Sequence, residues 1–184
     1  MAEPVFMDAR RALTAGGIVA YPTEAVYGLG CDPANAEAIA RLQALKGRDA
    51  GKGLILIAHE LTALEPWLGP LDASIRARIE PTWPGPVTWL LPAATAVPRL
   101  LKGDHDTLAV RVTAHPTAAA LCRAWGGPLV STSANLAGGE PARNANAVRA
   151  LFGDALDVVI EGAVGGLERP TPIRDGRTGE TLRS

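Results

Sequence analysis

Short, continuously apolar runs alternate along this chain with stretches whose apolar residues recur every three or four positions. The first pattern reads as buried strand and the second as amphipathic helix. Residues 6–15 carry helical spacing and end at Gly16-Gly17. Ile18–Tyr21 is a strand stopped by Pro22. Asp32-Pro33 opens a helix on which Ile39, Leu42 and Leu45 repeat, running out at Lys46-Gly47. Leu54–Ile57 is apolar at every position, as in a strand covered on both faces. Helical segments over 60–68 and 71–80 follow. Strands are expected over Val87–Leu91, after Pro84-Gly85-Pro86, and over Leu108–Val112. His115–Trp125 is a helix with Pro116 at its start and Gly126-Gly127 at its end. Leu129–Ser131 is a strand, Asn146–Phe152 a helix and Val158–Ile160 a strand, with short strands near Ile173 and Leu182.

This gives about seven strands and about five or six helices, an α/β pattern. Helices do not separate every pair of strands, so a mixed sheet is expected over a purely parallel one. A length of 184 residues suits one domain, residues 1–184.

Lys and Arg number 18 against 19 Asp and Glu, a net charge of -1, which leaves no global basic field for nucleic acid. Four Trp, two Tyr and two Phe are a poor supply of stacking platforms for single strands. Cys31 and Cys122 stand alone, as suits a reducing cytosol. They form no zinc-ligand spacing with His59, His105 and His115, so no protein-held metal is expected. The start of the chain lacks the basic and apolar regions of a signal peptide. The most apolar stretches, Gly53–Ala58 and Val87–Val97, fall short of the roughly 18 residues of a membrane span. A cytoplasmic, soluble protein without membrane contact is expected.

Two nucleotide motifs fail on inspection. Gly47–Gly53 is one residue short of a phosphate loop, ends in Gly where Ser or Thr should hold magnesium, and precedes a strand instead of following one. Gly28-Leu29-Gly30-Cys31-Asp32-Pro33 begins like a dinucleotide fingerprint but ends in Pro. No GxSxG elbow is present.

Five other constellations can carry chemistry. Pro22–Gly30 follows a buried strand, and its Thr23 hydroxyl and glycines either shape a polar pocket or form a turn around a packed Tyr27. Lys46-x-Arg48-x-x-x-Lys52 holds two of the chain's three lysines. These cations either complement a helix C-terminus or clamp a triphosphate. Ser131-Thr132-Ser133-Ala134-Asn135 offers hydroxyls and an amide to anionic oxygens, or is a hydroxyl-rich turn. Arg111 alternates with apolar residues and so needs an anion, either internal (Asp104 or Asp106) or a ligand carboxylate. Arg169, Arg174, Arg177 and Arg183 make the C-terminal segment basic, as a solvated tail or as a flap over an anion.

Together PTEAVYGLGCDP (22–33), KGRDAGKGLILIA (46–58), WPGPVT (83–88), LAVRVTAHP (108–116), PLVSTSANLAG (128–138) and PIRDGRTGE (172–180) resemble the YrdC family in its short bacterial form. The resemblance implies a twisted mixed sheet flanked by helices around a large concave cleft. It implies an enzyme, a nucleotidyltransferase that joins L-threonine, bicarbonate or CO2, and ATP to give threonylcarbamoyl-adenylate and pyrophosphate. Mg2+ would come with ATP. The product would feed threonylcarbamoyladenosine modification of tRNA, through downstream threonylcarbamoyl-transfer proteins.

Carried over by position, Lys46 and Arg48 are the expected catalytic cations. Arg48, Lys52, Thr107, Ser133, Asn135 and Arg183 are expected at ATP; Thr23, Arg111, Ser131 and Thr171 are expected at threonine. Ile57 stands where longer relatives carry a threonine-contacting His, and Thr171-Pro172-Ile173 replaces the usual Ser-Thr-Ile with loss of one backbone donor.

The alternative is a non-catalytic module binding double-stranded RNA or tRNA in RNA or ribosome maturation, an affinity the resemblance also implies. The net charge and scarce aromatics weigh against RNA as sole ligand. A carbamoyl-transfer domain like the YrdC module of hydrogenase maturation proteins is a third reading. That module sits in much longer chains.

Overall fold

A computed structural model describes residues 3–47, 49 and 51–183. In chain order its elements are α1 (Glu3–Thr14), β1 (Val19–Pro22), β2 (Tyr27–Gly30), α2 (Ala36–Lys46), β3 (Ile55–Ala58), α3 (Leu61–Leu64) and α4 (Ala73–Ile79). Then follow β4 (Thr88–Pro92), α5 (Arg99–Lys102), β5 (Thr107–Val112), α6 (Pro116–Trp125), β6 (Leu129–Ser133), α7 (Ala145–Phe152), β7 (Val158–Val159), β8 (Ile173–Asp175) and β9 (Thr181–Arg183).

The strands form one nine-stranded sheet in the order β7-β1-β2-β6-β3-β5-β4-β8-β9. The pairs β1/β7, β3/β5 and β4/β8 are parallel and the other five antiparallel. The mixed sheet is therefore as expected. Because successive strand residues point to opposite faces, Leu56 and Ala58 enter one core with Leu29, Ile39 and Val110, whereas Ile57 enters another with Tyr21 and Leu129. Helices α1 and α6 cover that second core through Leu13, Leu121 and Cys122.

The strand absent from the sequence reading is β2. Its Gly-rich sequence suggests a loop, but all four residues are buried and pair with β1, Val19 lying opposite Gly30. The glycine is a spacing requirement: a Cβ on Gly30 would stand 2.6 Å from the Val130 carbonyl and 2.9 Å from the Tyr21 ring. The start of α2 also moves. Asp32 closes a turn through the Ala34 amide, and Asn35 is the cap, accepting from the Ala38 amide at 3.0 Å. Gly47, in the left-handed region at φ 61°, ends the helix.

The C-terminal segment is neither solvated tail nor detached flap. β8 and β9 extend the sheet beyond β4. Arg177 pairs with Asp106 at 2.9 Å, and Arg174 lies 5.8 Å over the Trp89 ring.

Candidate functional site

Alternation on β5 builds the floor of a cavity. Leu108 and Val110 point into the core, so Thr107, Ala109 and Arg111 share the opposite face, and all three line a cavity of about 430 Å3. That volume lies within the range of small-molecule sites. With a strand rise near 3.3 Å per residue, Thr107 and Arg111 stand ~13 Å apart along the floor.

Arg111 marks one end. It is only 4% exposed. Nη1 donates to the hydroxyls of Thr88 and Thr171, each at 2.9 Å. Nη2 lies 3.6 Å from Glu24 Oε2, an ion pair too long for a good hydrogen bond. Nε has no hydrogen-bond partner among the described residues. The internal anion is thus Glu24, not Asp104 or Asp106. Those two are taken at the surface by Arg99 at 2.6 Å and Arg177 at 2.9 Å, which hold both carboxyls below the usual range.

Thr23 closes this end from the β1–β2 loop. Its hydroxyl donates to the Val26 carbonyl at 2.7 Å, so the oxygen keeps lone pairs for a donor in the cavity. A segment over 162–168 lies across this loop. Gly165 N donates to Thr23 O at 2.9 Å and Leu167 N to Glu24 O at 3.1 Å. The approach needs a glycine, because a Cβ on Gly165 would meet Glu24 O at 2.8 Å. Arg143 ties the two segments together, donating to the carbonyls of Ala25, Leu167 and Glu168 at 3.1, 3.1 and 2.7 Å.

The other end is cationic. Lys52, Lys102 and His105 line it with Thr107. Arg183 lines the cavity at the Arg111 end instead: it lies opposite Ile173 and donates at 3.0 Å to the carbonyl of Thr171, whose hydroxyl holds Arg111. Lys102 and His105 escape the sequence reading because neither lies in a motif; only the fold brings the end of α5 and the turn after it to this wall. Ser131 and Ser133, on β6, line the cavity between the ends.

Two expected residues stand behind the wall instead of on it. Lys46, 5% exposed, sends its ammonium under the loop after β6. There it donates to the carbonyl of Ser133, the carbonyl of Asn135 at 3.0 Å and Asn135 Oδ1 at 3.1 Å. The Asn135 amide is turned inward: Oδ1 also accepts from the Ser133 hydroxyl at 2.6 Å, and Nδ2 donates to the carbonyls of Leu136 and Gly139, both at 3.0 Å. Arg48 lies outside the described residues.

Among the described residues, no group of three or more His, Cys, Asp or Glu could hold a metal ion, and no helix is long and apolar enough to cross a membrane. Cys31 and Cys122 are buried, and burial pushes each thiol up to about 12. A raised value keeps both protonated at pH 8, where the thiolate is the reactive form. The native protein is therefore expected to resist a thiol reagent at pH 8 and to release two equivalents once unfolded in denaturant. Rapid native labelling would contradict this burial.

The model of the Sua5, YciO and YrdC proteins, described as "Telomere recombination", matches residues 11–184. The chain belongs to the Sua5/YciO/YrdC family. A relative from Halorhodospira halophila named threonylcarbamoyl-AMP synthase is 61% identical over 171 residues, covering 93% of this chain and 90% of its own. Escherichia coli YciO superposes with a TM-score of 0.87 at 26% identity, over 100% of this chain and 90% of that one. P. abyssi Sua5 complexed with L-threonine superposes with a TM-score of 0.89 at 30% identity, over 95% of this chain. This chain spans about half of that protein, 51% of its length.

Within the Sua5/YciO/YrdC fold, the cavity gathers Thr23, Lys52, Thr107, Arg111, Ser131, Ser133, Thr171 and Arg183, which are scattered along the sequence. Ile57 does not reach it, being fully buried in the core beneath α1 and α6. His59 also lies off the cavity lining, 3.5 Å from Glu60.

Proposed function

We propose that this protein condenses L-threonine, bicarbonate or CO2, and ATP into threonylcarbamoyl-adenylate and pyrophosphate. The observation that carries the reading is the floor of β5. It joins a buried arginine with an unbonded edge to a cluster of cations ~13 Å away, a span for an amino-acid carboxylate at one end and a polyphosphate at the other. The name of the H. halophila relative agrees with this arrangement.

In this reading Arg111, oriented through Thr171, takes the threonine carboxylate, and Thr23 Oγ1 accepts from the amine. The amine attacks CO2, forming the N–C bond of a carbamate and releasing a proton. A carbamate oxygen then attacks the α-phosphorus of ATP, and the bond to pyrophosphate breaks. The nucleophile is already anionic at that step, so catalysis rests on alignment and on charge stabilisation. Lys52 and Lys102 offset the leaving charge; Arg48 and Arg183 are assigned to ATP as well, and Ser131, Ser133 and Thr107 line the cavity. Lys46 and Asn135 act through the shape of the β6 loop. Mg2+ arrives with ATP as part of the substrate. The adenylate is consumed by a tRNA threonylcarbamoyl-transfer system. The relatives named threonylcarbamoyl-AMP synthase and the cavity that holds Arg111 favour an enzyme over a module that binds RNA alone, so that alternative is not favoured.

The test is pyrophosphate release from ATP with threonine and bicarbonate omitted in turn. Release that needs both is expected. Release needing neither, or none with all three present, overturns the assignment.

A further inference from the structure

Arg111 and Glu24 form the one ion pair among the described residues in which both partners are buried, with side chains 5% and 9% exposed. The other pairs have at least one partner well exposed to solvent. Both halves are incompletely bonded. The Nε–Nη2 edge of the guanidinium makes no hydrogen bond among the described residues, and Glu24 Oε2 has none either. That edge is the side-on face that binds a carboxylate through two parallel N–H···O contacts. The outer nitrogen, Nη1, is already held by the neutral hydroxyls of Thr88 and Thr171.

Neutral hydroxyls do not offset a buried cation; a buried charge needs an anion. Glu24 is that anion, and it is itself pinned. Oε1 accepts from the Thr113 hydroxyl at 2.7 Å and from the Ala114 amide at 3.2 Å. Its backbone carbonyl accepts from Leu167. The carboxylate is thus fastened to the end of β5 that also carries Arg111, close enough to orient the guanidinium and too far to occupy its side-on edge.

We infer that Glu24 is a positioning residue for the amino-acid end of the site. It holds the Arg111 guanidinium in place from the Nη2 side, so that the guanidinium lining the cavity meets the carboxylate of an α-amino acid. This inference rests on the proposed function and adds to it a residue that does not line the cavity.

Glu24→Gln tests it. The amide oxygen can still accept from Thr113 and Ala114, but the amide nitrogen, a donor, then faces Arg111. The expected result is a rise of at least tenfold in KM for threonine, and a matching loss of threonine affinity by calorimetry, with KM for ATP within twofold of the parent. Glu24→Asp keeps the charge and should recover part of the threonine affinity. A merely structural residue would move both KM values together or lower only the amount of folded protein. Should Glu24→Gln fail to fold, Thr113→Val removes one donor to the carboxylate and keeps its charge; a three- to tenfold rise in KM for threonine alone is then expected. Unchanged KM for threonine in these variants, or a parallel rise in KM for ATP, overturns the inference. Failure of the functional reading is separate, since the parent protein would then show no threonine-dependent release of pyrophosphate.

Discussion

Arg111→Ala is expected to abolish threonine-dependent pyrophosphate release and to cost about 3–5 kcal/mol of stability, the usual penalty for leaving one half of a buried ion pair behind. Two contributions combine. Glu24 would remain buried with only the Thr113 hydroxyl and the Ala114 amide on one oxygen. The Thr88 and Thr171 hydroxyls would also lose the donor that draws β4 and the segment before β8 toward β5. Against a typical total of about 5–15 kcal/mol, that loss lowers the midpoint of urea unfolding visibly. Arg111→Lys separates the two effects. It keeps the charge beside Glu24 and most of the stability, but a lysine cannot present two parallel donors. Charge-assisted hydrogen bonds contribute about 1.5–3 kcal/mol, so kcat/KM for threonine should fall about 10- to 100-fold while the fold persists. Full turnover in Arg111→Lys would remove Arg111 from the carboxylate site.

Lys46→Met carries the second large effect, and it does so without a direct contact to substrate. The ammonium gathers two backbone carbonyls and the Asn135 side chain into one point under the β6 loop, while Ala137 N returns a bond to the Lys46 carbonyl at 3.1 Å. Methionine fills the space but donates nothing, so buried acceptors are left unmatched at a cost of about 1–3 kcal/mol. The loop that places Ser133 on the cavity wall then loosens. Displacing a group at a reacting centre by about 1 Å can cost roughly 100-fold in rate. Faster hydrogen exchange of the amides over 134–139 and a turnover loss of about 10- to 100-fold are expected together. Normal turnover with a loosened loop would show that the position of Ser133 does not matter.

Much of this was legible in the chain itself. Strict alternation over Leu108–Val112 placed Arg111 among buried neighbours, and alternation in the structure puts it on the cavity floor. The apolar run at Leu54–Ile57 became the central strand β3, and Gly47 ended α2 where the helical spacing stopped. These features are local: they depend on side-chain period, on the missing Cβ of glycine and on the chain's immediate neighbours.

Non-local features were not legible. β2 was hidden because glycines depress strand propensity, and only the approach of Tyr21 and the Val130 carbonyl shows why they are needed. The counter-ion of Arg111 was sought among Asp104 and Asp106, close in sequence, whereas the structure supplies Glu24 from the β1–β2 loop. Nothing in the chain's local pattern marks Arg143 as the tie between that loop and the segment after Gly162.

The sequence by itself therefore determined the α/β class, the mixed sheet, the family and eight of the polar and charged residues that meet in the cavity, because each is written in local period or in a contiguous motif. Tertiary structure alone decided which of those side chains face the cavity and which stand behind it, and which buried charge faces which. Those outcomes depend on the distance between strands far apart in the chain, and on the cost of burying donors, acceptors and ions without partners once solvent is excluded.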